Sequence, residues 1–413
     1  MKTKKYRYEV TTGLLLGAGA SFEIGMPLVG GLTAEFTGFV TPQRLKALNS
    51  AWRLQGRGID DAVLDRVSAI VTAPGKTYEQ ILADVESSKS RTNRTDPLHG
   101  LHSMLEEIVY GILWSRHVRY SQRISSYLRY LDGIAGLAMA NRPLWIFSLN
   151  HDLIVECIGI ACGLPISVGL CDAYSIPMRD RGGSVTGQLP MEFISAERLA
   201  SHGLCFFADG TLGVNLLKLH GALDLFTFHD GRDVARFLPL QNTIDGLIGS
   251  LRAMHEDVFY PAATPTGRFH ATNEVAYADA TGEMQFMRRT VLAGAMKYDP
   301  RRLQVLPASF LDEFRTNIER IERIASIGFS FNPSDIHVTR IISAWLRRDK
   351  SRILEIVCPR NPPSLPLDFS GVLDQIVRVD MSATSYLEQY SAKPLSALER
   401  AKKVILDARR GTA

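Results

Sequence analysis

Residues 13–21 read Gly13-Leu14-Leu15-Leu16-Gly17-Ala18-Gly19-Ala20-Ser21, an apolar strand running into a turn of small residues. An uninterrupted apolar run suits a strand covered on both faces, as in a parallel sheet. The small residues behind it let backbone N–H groups approach a diphosphate at the start of the next helix. Small residues also seat helices tightly on sheets, so the turn alone is weak evidence. The dinucleotide fingerprint of dehydrogenases needs a third glycine where Phe22 stands. Glu35 lies at a fitting distance for a ribose-binding acid, but residues 32–39 do not read as the strand that would carry it. A hydride-transfer enzyme is disfavoured.

Further short apolar runs occur at 144–148, 215–219, 324–329, 353–357 and 375–379, most of them leading into a polar or glycine-rich break and then a helical pattern. This repetition predicts an α/β fold, a Rossmann-like doubly wound parallel sheet. The spacing is uneven. Between the first strand and residue 144 the sequence reads as helix at 42–54, 60–70, 78–86, 99–113 and 121–139. From Phe226 to about Tyr298, turn signals alternate with helical readings at 246–259 and 283–297. The expected organisation is one α/β unit over residues 1–383, interrupted by a large helical insertion at 41–141 and a smaller one at 226–300. Residues 384–413 form a C-terminal helical segment, read as a brace sooner than an oligomer contact.

Composition narrows the function classes. The chain has 413 residues, 46% hydrophobic and 22% charged, which excludes a disordered or collagenous protein. Lys and Arg number 47 against 43 Asp and Glu, with the arginine pairs dispersed among acids, so no nucleic acid is expected as a direct partner. The five cysteines include no C-x-x-C pair, which argues against a zinc ribbon and suits a reducing cytoplasm. Lys2, Lys4, Lys5 and Arg7 before Leu14–Leu16 and Ala18-Gly19-Ala20 imitate a signal peptide, but the apolar run is too short and Glu9 interrupts its approach. No apolar run is long enough to span a membrane.

Three further strand ends carry polar side chains, where open α/β sheets bind ligands. They are Ser148-Leu149-Asn150-His151-Asp152, Lys218-Leu219-His220-Gly221, and Gly328-Phe329-Ser330-Phe331-Asn332-Pro333-Ser334-Asp335. Each has a plain structural alternative. Asn150 and Asp152 suit a turn and helix cap, and the last stretch suits a capped turn. A single histidine is more often structural than catalytic, although His220 at a strand end before a glycine stands above that base rate.

Taken in order, these elements resemble the sirtuin-like (silent-information-regulator-type) superfamily. Its G-A-G-x-S turn matches Gly17-Ala18-Gly19-Ala20-Ser21, followed at the matching distance by Gly25-Met26-Pro27. Its middle motif matches Ser148, Asn150 and Asp152, its L-H-G matches Leu219-His220-Gly221, and its late strand end matches Gly328-Phe329-Ser330. Residues 77–83 (Thr77-Tyr78-Glu79-Gln80-Ile81-Leu82-Ala83) look like the bacterial branch found in phage-defence systems. Two departures matter. Leu28-Val29-Gly30 replaces the Asp-Phe-Arg of protein-deacetylating members, and their two zinc-binding C-x-x-C pairs are missing.

The resemblance implies NAD as substrate, cleaved between nicotinamide and ribose, with no metal. Asn150 and His220 are then the catalytic residues, Asn150 positioning ribose or water and His220 acting as general base. Gly17, Ala18, Gly19, Ala20, Ser21, Pro27, Asp152, Gly328, Ser330, Asn332 and Asp335 would bind the dinucleotide. The implied role is that of an NAD-depleting effector in anti-phage defence. The expected partners are a second copy of the chain in a homo-oligomer and a sensor in trans, such as a HerA-type ATPase. The alternatives are an NAD- or ADP-ribose-binding regulatory module without turnover and, third, an NAD-dependent protein deacylase.

Overall fold

A computed structural model describes residues 10–408 except 55, 57, 91–95, 181, 229–231, 259–273, 280, 292–305 and 360–362. In chain order its strands are β1 (Thr12–Leu16), β2 (Leu144–Ser148), β3 (Ile166–Ser167), β4 (Asp172–Arg179), β5 (Val185–Ile194), β6 (Val214–Lys218) and β7 (Leu225–Phe228). They continue with β8 (Asp233–Phe237), β9 (Glu274–Ala278), β10 (Met284–Arg289), β11 (Arg323–Ile327), β12 (Ile353–Val357) and β13 (Ile376–Val379). Seven make one sheet in the order β13-β12-β11-β1-β2-β6-β3, with every pairing parallel. β1, β2 and β6 are buried along their whole length, as their continuous apolar runs require.

The strand order reverses at β1. The chain leaves β1 for β2 on one side and returns much later to β11 on the other. The crevice at such a switch point, outside the carboxyl ends of the strands, is where doubly wound sheets hold ligands. It lies here between the turns that follow β1 and β11.

Between β1 and β2 the chain is helical, including Val29–Phe39, Pro42–Leu54, Asp61–Val71, Tyr78–Ser88 and Pro97–Arg119. The reading of 32–39 as something other than a strand agrees with its place in a helix. The single helix expected at 121–139 is instead Ser121–Tyr127, a 3-10 turn Leu128–Leu131 and Gly133–Ala140. Among the described residues no helix is long and apolar enough to cross a membrane.

A second, six-stranded antiparallel sheet has the order β4-β5-β8-β7-β10-β9. Two expectations fail here. Residues 283–297 do not begin a helix, because Met284–Arg289 is a strand paired with β7 and β9; residues 292–297 lie outside the described part. Tertiary pairing overrides the helix preference of Met, Gln and Arg. The second sheet also starts at Asp172, well before residue 226. Pro177, Gly187 and Pro190 hide β4 and β5 from a pattern reading. Pro177 is tolerated because β4 is an edge strand, and Pro190 because the pairing with β8 begins only at Met191.

Candidate functional site

Ten of the thirteen residues singled out from the sequence meet in one open cleft at the switch point. Gly17, Ala18, Pro27, Asn150, Asp152, His220, Gly328, Ser330, Asn332 and Asp335 line it, and its empty space is about 740 Å3 with the mouth included. Gly19, Ala20 and Ser21 are not on its wall. Ala20 and Ser21 face a smaller hollow behind Asn150.

The turn after β1 is fixed by contact with the turn after β11. A Cβ on Gly17 would lie 2.6 Å from Phe329 Cα, and one on Gly19 would lie 2.6 Å from Gly328 Cα. Gly328 itself has φ +65°, a backbone that favours glycine. The small residues are therefore required where two backbones meet. Gly17 N–H donates to Ile327 O and Gly19 N–H to Gly328 O, both at 3.0 Å, while Ala20 N–H donates to Gly17 O at 2.8 Å. The Ala18 amide, at the cleft wall, makes no such bond among the described residues.

Asn150 ties the middle motif to this turn. Its Nδ2 donates to Gly17 O at 3.0 Å and to Ser21 Oγ at 3.1 Å. Both amide protons are engaged, and Oδ1 is the acceptor that remains. Asp152 does what a plain turn residue would, its Oδ1 accepting from Ile154 N at 3.2 Å at the start of the helix Ile154–Cys162. Asn332 likewise accepts from Ser334 N at 3.1 Å and caps a 3-10 turn.

His220 Nε2 lies 3.3 Å from Asp335 Oδ1, with both side chains nearly buried. This brings together two motifs more than a hundred residues apart. The ring of His151 is 6.3 Å from that of His220, centroid to centroid. Gly221 follows at φ +71°, and a Cβ there would fall 1.9 Å from Thr290 O, so the turn behind His220 packs directly on the end of β10.

A buried layer holds these loops from behind. Lys218 Nζ pairs with Glu156 Oε1 at 3.0 Å and also donates to the Asp152 carbonyl. Burial works against its charge, but Glu156, Asp224 and Asp152 together hold the Lys218 pKa above its usual value. His117 accepts from Leu153 N at 3.0 Å through Nε2, which assigns its Nδ1 proton to the Leu113 carbonyl 2.8 Å away. Burial pushes its pKa down, so it is a neutral structural histidine.

Tyr78, Glu79 and His151 also line the cleft and were not singled out as site residues. A capping box places the first two: Gln80 N donates to Thr77 Oγ1 at 3.3 Å and Thr77 N to Gln80 Oε1 at 2.9 Å. The T-x-x-Q pattern was a legible signal for the helix start. Burial raises the Tyr78 pKa well above normal, aided by the negative charges of Glu79 and Asp335. Phe331, buried against Phe329 and Phe369, has φ +52°, a strained value for a non-glycine residue beside the site.

Among the described residues no group of three or more His, Cys, Asp or Glu side chains is placed to hold a metal ion. No family model matches the chain, and no curated protein matches it.

Proposed function

We propose that the chain is an NAD+ glycohydrolase that cleaves the bond between nicotinamide and ribose, giving nicotinamide and ADP-ribose. The observation that carries this reading is the convergence of Asn150, His220 and Asp335 with the two glycine turns in one cleft at the switch point. Nicotinamide departs with the C1′–N electron pair, and positive charge builds on the ribose ring as in other glycosidic cleavages. Water oxygen then bonds C1′ and gives up a proton. His220 takes that proton, with the Asp335 carboxylate beside the ring balancing the imidazolium. Asn150 positions water or a ribose hydroxyl through Oδ1, because its Nδ2 is held by Gly17 and Ser21. For the diphosphate, the Ala18 amide and the exposed Ser330 hydroxyl are donors at the wall, whereas the Gly17 and Gly19 amides are already engaged.

In a cell this activity would deplete NAD, which fits an anti-phage effector acting as a homo-oligomer and released by a sensor in trans, such as a HerA-type ATPase. The test is incubation of the purified chain with NAD+, with products resolved by chromatography. Equimolar nicotinamide and ADP-ribose are expected, and His220→Ala should abolish both while the protein remains folded. Binding without nicotinamide release would instead make the chain a regulatory module, and release that depends on an acylated peptide would make it a deacylase.

A further inference from the structure

A further pocket lies behind the cleft, between the helix Ile154–Cys162, the segment that follows β8 and the helix Ile244–Glu256. Its empty space, mouth included, is about 800 Å3. The two sites share their walls. Asp152 lines the cleft and Glu156, a turn further along, lines the pocket; His220 lines the cleft and Asp224 the pocket.

The charges around the pocket do not balance. Lys218 Nζ is taken by Glu156 Oε1 at 3.0 Å, and Arg236 Nε by Glu192 Oε2 at 2.9 Å. Asp224 is left over. It is 2% exposed, its Oδ1 has no hydrogen-bond partner, and no Lys, Arg or His lies within ion-pair distance of it among the described residues. Lys218 feels its charge only from further away. The backbone holds the residue in place, with Asp224 O accepting from Phe237 N at 3.3 Å and Leu223 N donating to His151 O at 3.0 Å. Burying a carboxylate without a partner is costly, so an unpaired one at a pocket wall leaves a place for a cation.

The rest of the wall decides which cation. A metal ion needs several oxygen ligands, but the other carboxylate of the pocket, Glu156, is occupied by the Lys218 ammonium. An organic ammonium needs one carboxylate for its N–H donors and apolar surface for its body, and Ile160, Leu164, Phe237 and Leu247 supply that surface. We infer that this pocket binds a small organic compound with a single ammonium group, its N–H donors on Asp224 and its hydrocarbon body against Ile160, Leu164 and Phe237. One positive charge neutralises Asp224. A dication brings one charge too many, and the carboxylate of a zwitterion meets only cations that are already paired. Binding at this pocket does not depend on the NAD-cleaving reading.

The test is calorimetric titration of the whole chain, at neutral pH and physiological salt, with isoamylamine and phenethylamine and with the matching neutral alcohols. At least one amine is expected to bind, and its alcohol about tenfold more weakly or not at all. Asp224→Asn keeps the shape of the side chain and removes its charge, and should weaken amine binding about tenfold or more. Ile160→Trp leaves every charge in place and fills the pocket from a half-buried position, and should weaken binding as well. His220→Ala, in the cleft, should bind the amine as the native chain does. No binding of either amine, alcohol binding as tight as amine binding, or amine binding that survives both pocket variants would each overturn the inference. Binding lost in His220→Ala but kept in Asp224→Asn would place the amine in the cleft and overturn it too. If the amine binds as expected but the native chain never cleaves NAD, the pocket stands and the NAD reading fails.

Discussion

Asn150→Ala separates the two roles given to this side chain. Asn150 is 8% exposed and Ser21 only 3%, so the bonds from Nδ2 lie out of reach of water. Truncation removes both. Gly17 O keeps its bond from Ala20 N at 2.8 Å and loses only the extra donor. Ser21 Oγ loses its one side-chain partner among the described residues, leaving a buried hydroxyl unsatisfied. A typical buried bond contributes about 1 kcal/mol and an orphaned polar group costs about 1–3 kcal/mol, so the substitution should cost about 2–3 kcal/mol. Ser21→Ala removes the orphan. The double variant should therefore be more stable than the sum of the single losses predicts, with a coupling of about 1 kcal/mol. The assay is urea unfolding of the four proteins, together with nicotinamide release from NAD+. Activity should vanish in both variants lacking Asn150, including the double variant that regains stability. Additive losses would refute the Asn150–Ser21 bond, and NAD cleavage by either Asn150 variant would refute the catalytic role.

Gly221→Ala should lose activity and about 2 kcal/mol or more of stability, because a left-handed backbone and a Cβ 1.9 Å from Thr290 O combine; native-like activity would show that this turn does not set His220. The folded pKa of His117 lies below its ordinary 6.5, so the unfolded chain binds the extra proton. Its stabilising contribution is therefore complete above pH 6.5 and lost as pH falls through the lowered folded value, and His117→Asn should flatten the fall of the urea midpoint over that range. Cys171 and Cys205 hold their sulfurs 2.6 Å apart, so glutathione disulfide should convert them to a disulfide with loss of two hydrogens in the intact mass. Desolvation, then the Cys205 thiol, pushes the Cys171 thiol up to about 12, so oxidation should be slow at neutral pH, faster in mild alkali and absent in Cys171→Ser. A chelator should leave NAD cleavage unchanged; a metal-dependent loss would contradict the proposed mechanism.

The parallel sheet was legible because its central strands are buried on both faces and show it as unbroken apolar runs, Leu14–Leu16 being the clearest. The convergence of the polar strand ends followed from the same rule. What stayed hidden depended on contacts distant in sequence. β10 is made of residues that favour helix and becomes a strand only through β7 and β9. The glycines of the first turn read as a phosphate cradle, but the Gly17 amide bonds the last residue of β11 and the Gly19 amide the turn after it, partners no local pattern reveals. Tyr78 and Glu79 reach the cleft through a capping box that fixes where their helix begins, and the sequence does not show where that helix points.

Gly19 and Gly328 touch through their backbones across more than three hundred residues of chain. During synthesis the first turn emerges long before the second, and His220 likewise precedes Asp335. A ribosome-bound nascent chain therefore carries an open, unsupported first turn and an imidazole without its carboxylate. Under the proposed NAD-cleaving function, the chain would stay inert until β11 and the turn after it have docked, so the order of translation would itself delay the activity.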